Sequence, residues 1–126
     1  MSGELLRFCL VGTVGFVVDS GLTMMFTQFF GVIPVTARII AFIVAASVTF
    51  LLNRQFTFRS TVGAIAWLRY LVLTALGALI NVGVYLLWLW HAGHAPIHIF
   101  LGVAIGSICA LAFNFIFSRR FVFCLP

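Results

Sequence analysis

The chain has no lysine and only two acidic residues, Glu4 and Asp19, in 126 positions. Charged side chains of both signs make up 7% of it, against about 25% in an ordinary soluble domain. A disordered chain is excluded, because such chains stay unfolded by being polar and highly charged. A water-soluble enzyme or nucleic-acid-binding domain is excluded as well. With 64% of its residues hydrophobic, a chain this small keeps too much surface exposed to hide them all. Cys9, Cys109 and Cys124 are odd in number and form no CxxC pair, so neither a disulfide nor a metal site is expected. No glycine-rich phosphate loop, carboxylate pair or nucleophile–base set is present, and neither enzymatic activity nor a cofactor is expected. His91, His94 and His98 are spaced three and four apart, but Gly93 and Pro96 break the helix that would gather them around a metal.

Long apolar runs fill the space that charge leaves. Mean hydropathy is +1.28, and stretches 5–30, 35–52, 64–90 and 97–117 come close to or exceed the roughly 20 apolar residues of a membrane span. They are too long and continuous for barrel strands of about 9–11 residues, so the spans are helical. The first run exceeds the roughly 7–15 residues of a signal-peptide core and contains Asp19; it reads as a retained span. Segments 31–34 and 91–96 are short, with Pro34 and Pro96 where a helix's first turn tolerates proline. The expectation is an all-α membrane protein, one domain over 1–126, built as two tandem helical hairpins in parallel orientation. A more polar loop from Arg54 to about Gly63 joins them.

All seven basic residues are arginine. Arg7, Arg54, Arg59, Arg69, Arg119 and Arg120 fall at one side of this topology and Arg38 alone near the other. Arginine-rich short loops stay in the cytoplasm, so both termini and the middle loop are expected there.

The second half repeats the first, about 5–58 against 67–123. At an offset of 62, Arg7-Phe8 aligns with Arg69-Tyr70, Gly15 with Gly77, Asp19 with Asn81 and Gly21 with Gly83. At 65, Asn53-Arg54-Gln55-Phe56-Thr57-Phe58 aligns with Ser118-Arg119-Arg120-Phe121-Val122-Phe123. The three-residue difference predicts a longer second hairpin loop. Ala37, Ala41, Ala45, Thr49 and Asn53 recur every four residues, as do Gly102, Gly106, Ala110, Asn114 and Ser118. Each set lies on nearly one helix face. Small and polar residues let membrane helices approach and hydrogen-bond, so the two stripes are expected to meet near the repeat axis.

Asp19 is the sharpest chemical signal. It lies 12 residues after Arg7, roughly 18 Å along a helix and so near mid-membrane. A charge there needs a partner, a wet cavity or a proton, and Gly12 and Gly15 on its face leave room beside it. Arg38 opens the second span and fits either snorkelling or a phosphate, which guanidinium binds with two parallel hydrogen bonds. Direct pairing with Asp19 needs tilt or extended side chains and is not expected. Asn53-Arg54 and Ser118-Arg119-Arg120, each followed by Phe-x-Phe, suit a headgroup cradle with aromatic anchors at the interface.

These residues carry a resemblance. Arg7-Phe8 with Val11-Gly12 and Gly15, Asp19, Ala37-Arg38, and Phe50-Leu51-Leu52-Asn53-Arg54-Gln55-Phe56-Thr57-Phe58 are similar to the GtrA-like family, as are Arg69-Tyr70, Asn81, Phe113-Asn114-Phe115 and Arg119-Arg120-Phe121-Val122-Phe123. These are small four-span membrane proteins linked to polyprenyl-phosphate sugars. The family often has tryptophan where this chain has Phe56 and Phe121. The resemblance implies a role in moving undecaprenyl-phosphate-linked sugars across the bacterial inner membrane, for addition to surface polysaccharide or glycolipid, alongside a membrane glycosyltransferase. The expected substrate-binding set is Asp19, Arg38, Thr49, Asn53, Arg54, Asn81, Asn114 and Arg119. Arg54 and Arg119 collect phosphate at the cytoplasmic face, and Asn114, Thr49, Asn81 and Asp19 line a track for the sugar. Arg38 receives the phosphate outside, and a homodimer could help to line the path. Two alternatives stand beside this flippase: a non-transporting scaffold that recruits the glycosyltransferase, and a proton-coupled exporter of small molecules centred on Asp19.

Overall fold

The structure, a computed structural model, describes residues 2–125. It contains four long helices: α1 (Ser2–Gln28), α2 (Pro34–Leu52), α3 (Ala64–Ala92) and α4 (Pro96–Phe117). α2 and α4 each run on into one wide turn, Asn53–Thr57 and Ser118–Val122. All four are long and apolar enough to cross a membrane. Most of their large apolar side chains face outward, among them Val17, Leu79 and Trp90. Such a surface is stable only where hydrocarbon replaces water, and the protein is a multi-pass, all-α membrane protein. Pro34 and Pro96 occupy the first helical turns of α2 and α4, as expected. Gly31 (φ 63°) and Gly93 (φ 96°) end α1 and α3 in the left-handed region, where a Cβ would be strained. Val32 N–H closes the first of these turns on the Phe26 carbonyl at 3.0 Å.

α1 packs along α2, and α3 along α4. The expectation that the two small-residue stripes meet each other is not met: among the described residues the α2 and α4 backbones do not come together, and the helix-to-helix contacts between the hairpins are α2 with α3 and α1 with α4. The stripes are consumed inside each hairpin. A Cβ on Gly15 would collide with the Thr49 side chain, and one on Gly77 with the Asn114 amide. A Cβ on Gly106 would lie 2.6 Å from the Asn81 carbonyl oxygen. The longer second loop is also absent. The connection 93–95 is shorter than 29–33, and the extra residues sit in the helices, α3 having 29 residues to 27 in α1 and α4 having 22 to 19 in α2. Lengthening a helix keeps its backbone hydrogen bonds internal, whereas lengthening a loop would not.

The expected loop from Arg54 begins later than predicted, because the helix continues through Thr57. Phe58 N–H reaches back five residues to the Asn53 carbonyl (2.8 Å), and Ser60 N–H six residues to Arg54 (2.8 Å). The same closure recurs as Phe123 to Ser118 and Leu125 to Arg119, both 2.9 Å. Arg59 (φ 47°) and Cys124 (φ 55°) then turn the chain back in the left-handed region. This turn rotates the second phenylalanine of each Phe-x-Phe under the bundle. Phe58 and Phe123 are therefore core residues rather than interface anchors; Phe56 and Phe121 alone remain exposed.

The core is an aromatic cluster. Phe58 and Phe123 stack at 4.8 Å. Phe8 lies 6.0 Å from Phe58, and Tyr70 6.2 Å from Phe123. Phe115 joins Phe8 at 5.5 Å, and Phe50 joins Tyr70 at 5.6 Å. Positions separated by 62 or 65 in sequence thus make matching ring contacts.

Gly106→Ala should cost about 1–3 kcal/mol, since backbone must shift to admit a methyl group. Gly83→Ala, with nothing within 4 Å of the new Cβ, should be neutral or stabilising by up to about 1 kcal/mol. Phe123→Ala should cost about 3–5 kcal/mol, and Phe121→Ala less than about 0.5 kcal/mol. Unfolding in detergent micelles measures all four.

Candidate functional site

Above the aromatic cluster the two hairpins diverge and leave a cleft of about 230 Å³. All four helices line it: Gly12, Gly15 and Asp19 from α1, Ala45 and Thr49 from α2, Tyr70 and Thr74 from α3, Leu111 and Asn114 from α4. Gly12, with nothing within 4 Å of an added Cβ, leaves open space in the cleft, whereas Gly15 is taken up by packing against Thr49. Of the eight predicted site residues, Asp19, Thr49, Asn53 and Asn114 are brought together here.

A chain of hydrogen bonds forms the floor. The Thr57 hydroxyl donates to Asn53 Oδ1 (2.7 Å), Asn53 Nδ2 to the Tyr70 hydroxyl (3.0 Å), Tyr70 to Thr49 Oγ1 (3.1 Å) and Thr49 to the Ala46 carbonyl (3.0 Å). Asn53 is 1% exposed, so it braces the floor from inside and is no part of a surface headgroup cradle. Sequence reasoning passed over Tyr70 and Thr74. The signal for Tyr70 was present: its repeat mate is Phe8, and the added hydroxyl, once buried, must find partners.

Higher in the cleft, Asp19 Oδ2 accepts from Arg38 Nη1 at 2.8 Å. The two were expected to stay apart. The long arginine side chain spans the seam between α1 and α2, where Ala37 and Ala41, both fully buried, let the helices come close. Arg38 remains largely exposed and Asp19 mostly buried. The second carboxylate oxygen, Oδ1, is buried with no hydrogen-bond partner, and so is Asn114 Oδ1. Two acceptors of cleft-lining residues thus stand unsatisfied, Asp19 Oδ1 and, packed against Gly77, Asn114 Oδ1, each costing about 1–3 kcal/mol while it remains so.

The other predicted residues lie elsewhere. Asn81 does not line the cleft; its carbonyl and side-chain oxygens face Gly106 in the α3–α4 seam. Arg54 borders a separate apolar groove with Ser47 and Trp67, where the Trp67 indole donates to Ser47 at 2.9 Å. Arg119 Nε donates to Glu4 at 2.7 Å. Glu4 stands 62 residues before Ala66, so the acid occupies in one half the place that alanine holds in the other.

No curated protein and no solved structure matches this chain. A family model described as "GtrA/DPMS, transmembrane domain" matches residues 7–123, from the first arginine of α1 to the stacked phenylalanine beyond α4. That match connects the protein to membrane processes involving polyprenyl-phosphate-linked sugars. Covering nearly the whole sequence and containing every residue of the cleft, it identifies the chain as a member of the GtrA/DPMS transmembrane-domain family.

Proposed function

We propose that the protein is a flippase for polyprenyl-phosphate-linked sugar, of the undecaprenyl type, in the bacterial inner membrane, with both termini cytoplasmic. The observation that carries this reading is that two residues with a buried, unpartnered acceptor, Asp19 and Asn114, line one cleft. A sugar crossing hydrocarbon bare leaves every hydroxyl without a partner. Hydroxyls donating to these two oxygens satisfy both sides, while the prenyl chain stays in lipid. The protein itself makes and breaks no covalent bond; a membrane glycosyltransferase supplies the lipid-linked sugar on the cytoplasmic side.

The arginines divide the phosphate between them. Arg54 has no acid partner among the described residues, so it is the cytoplasmic collector, and Arg119 joins it only by leaving Glu4. Arg38 receives the phosphate at the far end, where it competes with Asp19 for the same guanidinium. That exchange frees the carboxylate as the headgroup passes. The hydrogen-bonded floor and the aromatic cluster block a straight path from the cytoplasmic end, so the sugar enters sideways between the hairpins. A second copy of the chain completes the wall of that side entrance.

In proteoliposomes, the purified protein should make lipid-linked sugar accessible at the opposite face. Asp19→Ala and Arg38→Ala should each slow this by roughly tenfold or more, the loss of one charge-assisted hydrogen bond. Full rates in both variants would remove these residues from the mechanism.

The closed floor favours one second reading, a scaffold that recruits the glycosyltransferase without moving lipid. Recruitment should then survive in pull-downs while liposomes show no translocation at all. The proton-coupled exporter is weaker, because Asp19 is already engaged by Arg38.

A further inference from the structure

Outside the cleft, two grooves on the lipid-facing surface share one composition. One lies on α1 between Arg7, Leu10, Val11 and Val14, closed by Leu52 and Phe56. The other lies on α3 between Leu68, Arg69, Val72 and Leu73, closed by Phe121. Arg7 and Arg69, Leu10 and Val72, and Val11 and Leu73 are 62 residues apart, and Phe56 and Phe121 are 65 apart. The grooves measure about 230 and 600 Å³. In each, a single guanidinium is the only charged group and the remaining walls are apolar. Neither arginine has an acid partner among the described residues. Arg7 Nε is buried without a hydrogen-bond acceptor.

A lone guanidinium among apolar walls in a membrane needs an anionic partner, and a phosphate diester meets that need with a charge-assisted bond. The apolar strip beside each arginine follows the helix axis, as an acyl chain does, and the exposed phenylalanine covers its side. We propose that both grooves hold an anionic glycerophospholipid of the surrounding leaflet, phosphate on Arg7 or Arg69 and one acyl chain along the helix. The polyprenyl-linked sugar is not the occupant. A sugar needs several donors and acceptors, and beyond the guanidinium these walls offer none, whereas the cleft offers Asp19, Thr49 and Asn114. The two grooves are bound-lipid sites, independent of whether the cleft transports.

Native mass spectrometry of the delipidated protein titrated with phosphatidylglycerol tests this. Two molecules of phosphatidylglycerol should be retained under activation that strips phosphatidylcholine. Arg7→Gln and Arg69→Gln should each remove one bound lipid, and the double variant both, with affinity falling about fivefold per arginine. The lipid-free unfolding midpoint of Arg69→Gln should stay unchanged. Arg69 is exposed, so its variant reads out the count even if Arg7→Gln folds poorly. Equal retention of phosphatidylcholine, or two lipids kept by Arg69→Gln, overturns the proposal. Displacement of phosphatidylglycerol by equimolar undecaprenyl phosphate also overturns it and gives the grooves to the carrier lipid.

Discussion

The stacked rings of Phe58 and Phe123, 4.8 Å apart, join two hairpins that otherwise meet along little of their length. In hydrocarbon there is no hydrophobic drive to press helices together, so association rests on close packing and hydrogen bonds. Within each hairpin, glycines opposite Thr49, Asn114 and Asn81 supply the close packing. Between hairpins the aromatic cluster supplies it, at one end only. The cleft follows from that arrangement: two rigid pairs pinned at the base diverge above it. What keeps the cleft polar is the set of residues that the hairpins leave facing the gap.

The halves share a backbone plan and differ in charge. Arg119 is matched by Glu4, whereas the position 62 residues after Glu4, in the half-repeat that would face Arg54, is Ala66. Asp19 pairs with Arg38, while their counterparts 62 and 65 residues on are Asn81 and Val103. Tyr70 brings a hydroxyl where Phe8 has none, and that hydroxyl organises the floor through Asn53 and Thr49. Each of these departures therefore places a charge or a hydroxyl in one half alone. The result is a one-sided distribution of charge on a nearly symmetric frame, with the Arg119–Glu4 pair near one end and the Arg38–Asp19 pair near the other.

The four helices could be read from the sequence, because hydropathy and length alone decide what crosses a bilayer. Asp19, Thr49 and Asn114 could be read as cleft residues, since a polar group in an apolar run must face protein rather than lipid. The stripe partners could not. Periodicity shows that Ala37 to Asn53 share a face but not which helix that face meets, and the neighbouring α1 took it. Phe58 and Phe123 were misread as interface anchors because the wide turn that swings them inward depends on five-residue hydrogen bonds, which leave no mark in composition. The reach of Arg38 to Asp19 was missed because residue counts along two helices ignore the close approach that Ala37 and Ala41 permit.

The position of Phe123 after the fourth span has a consequence for biogenesis. Each hairpin has its own tight seam and can settle in the bilayer as soon as its two helices emerge. The clasp between them needs a ring that follows α4, so it closes only when all four helices are in place. Until then the first hairpin holds Phe58 without its stacking partner, and quality control in the membrane would meet a half-built bundle with an open aromatic socket at one rim.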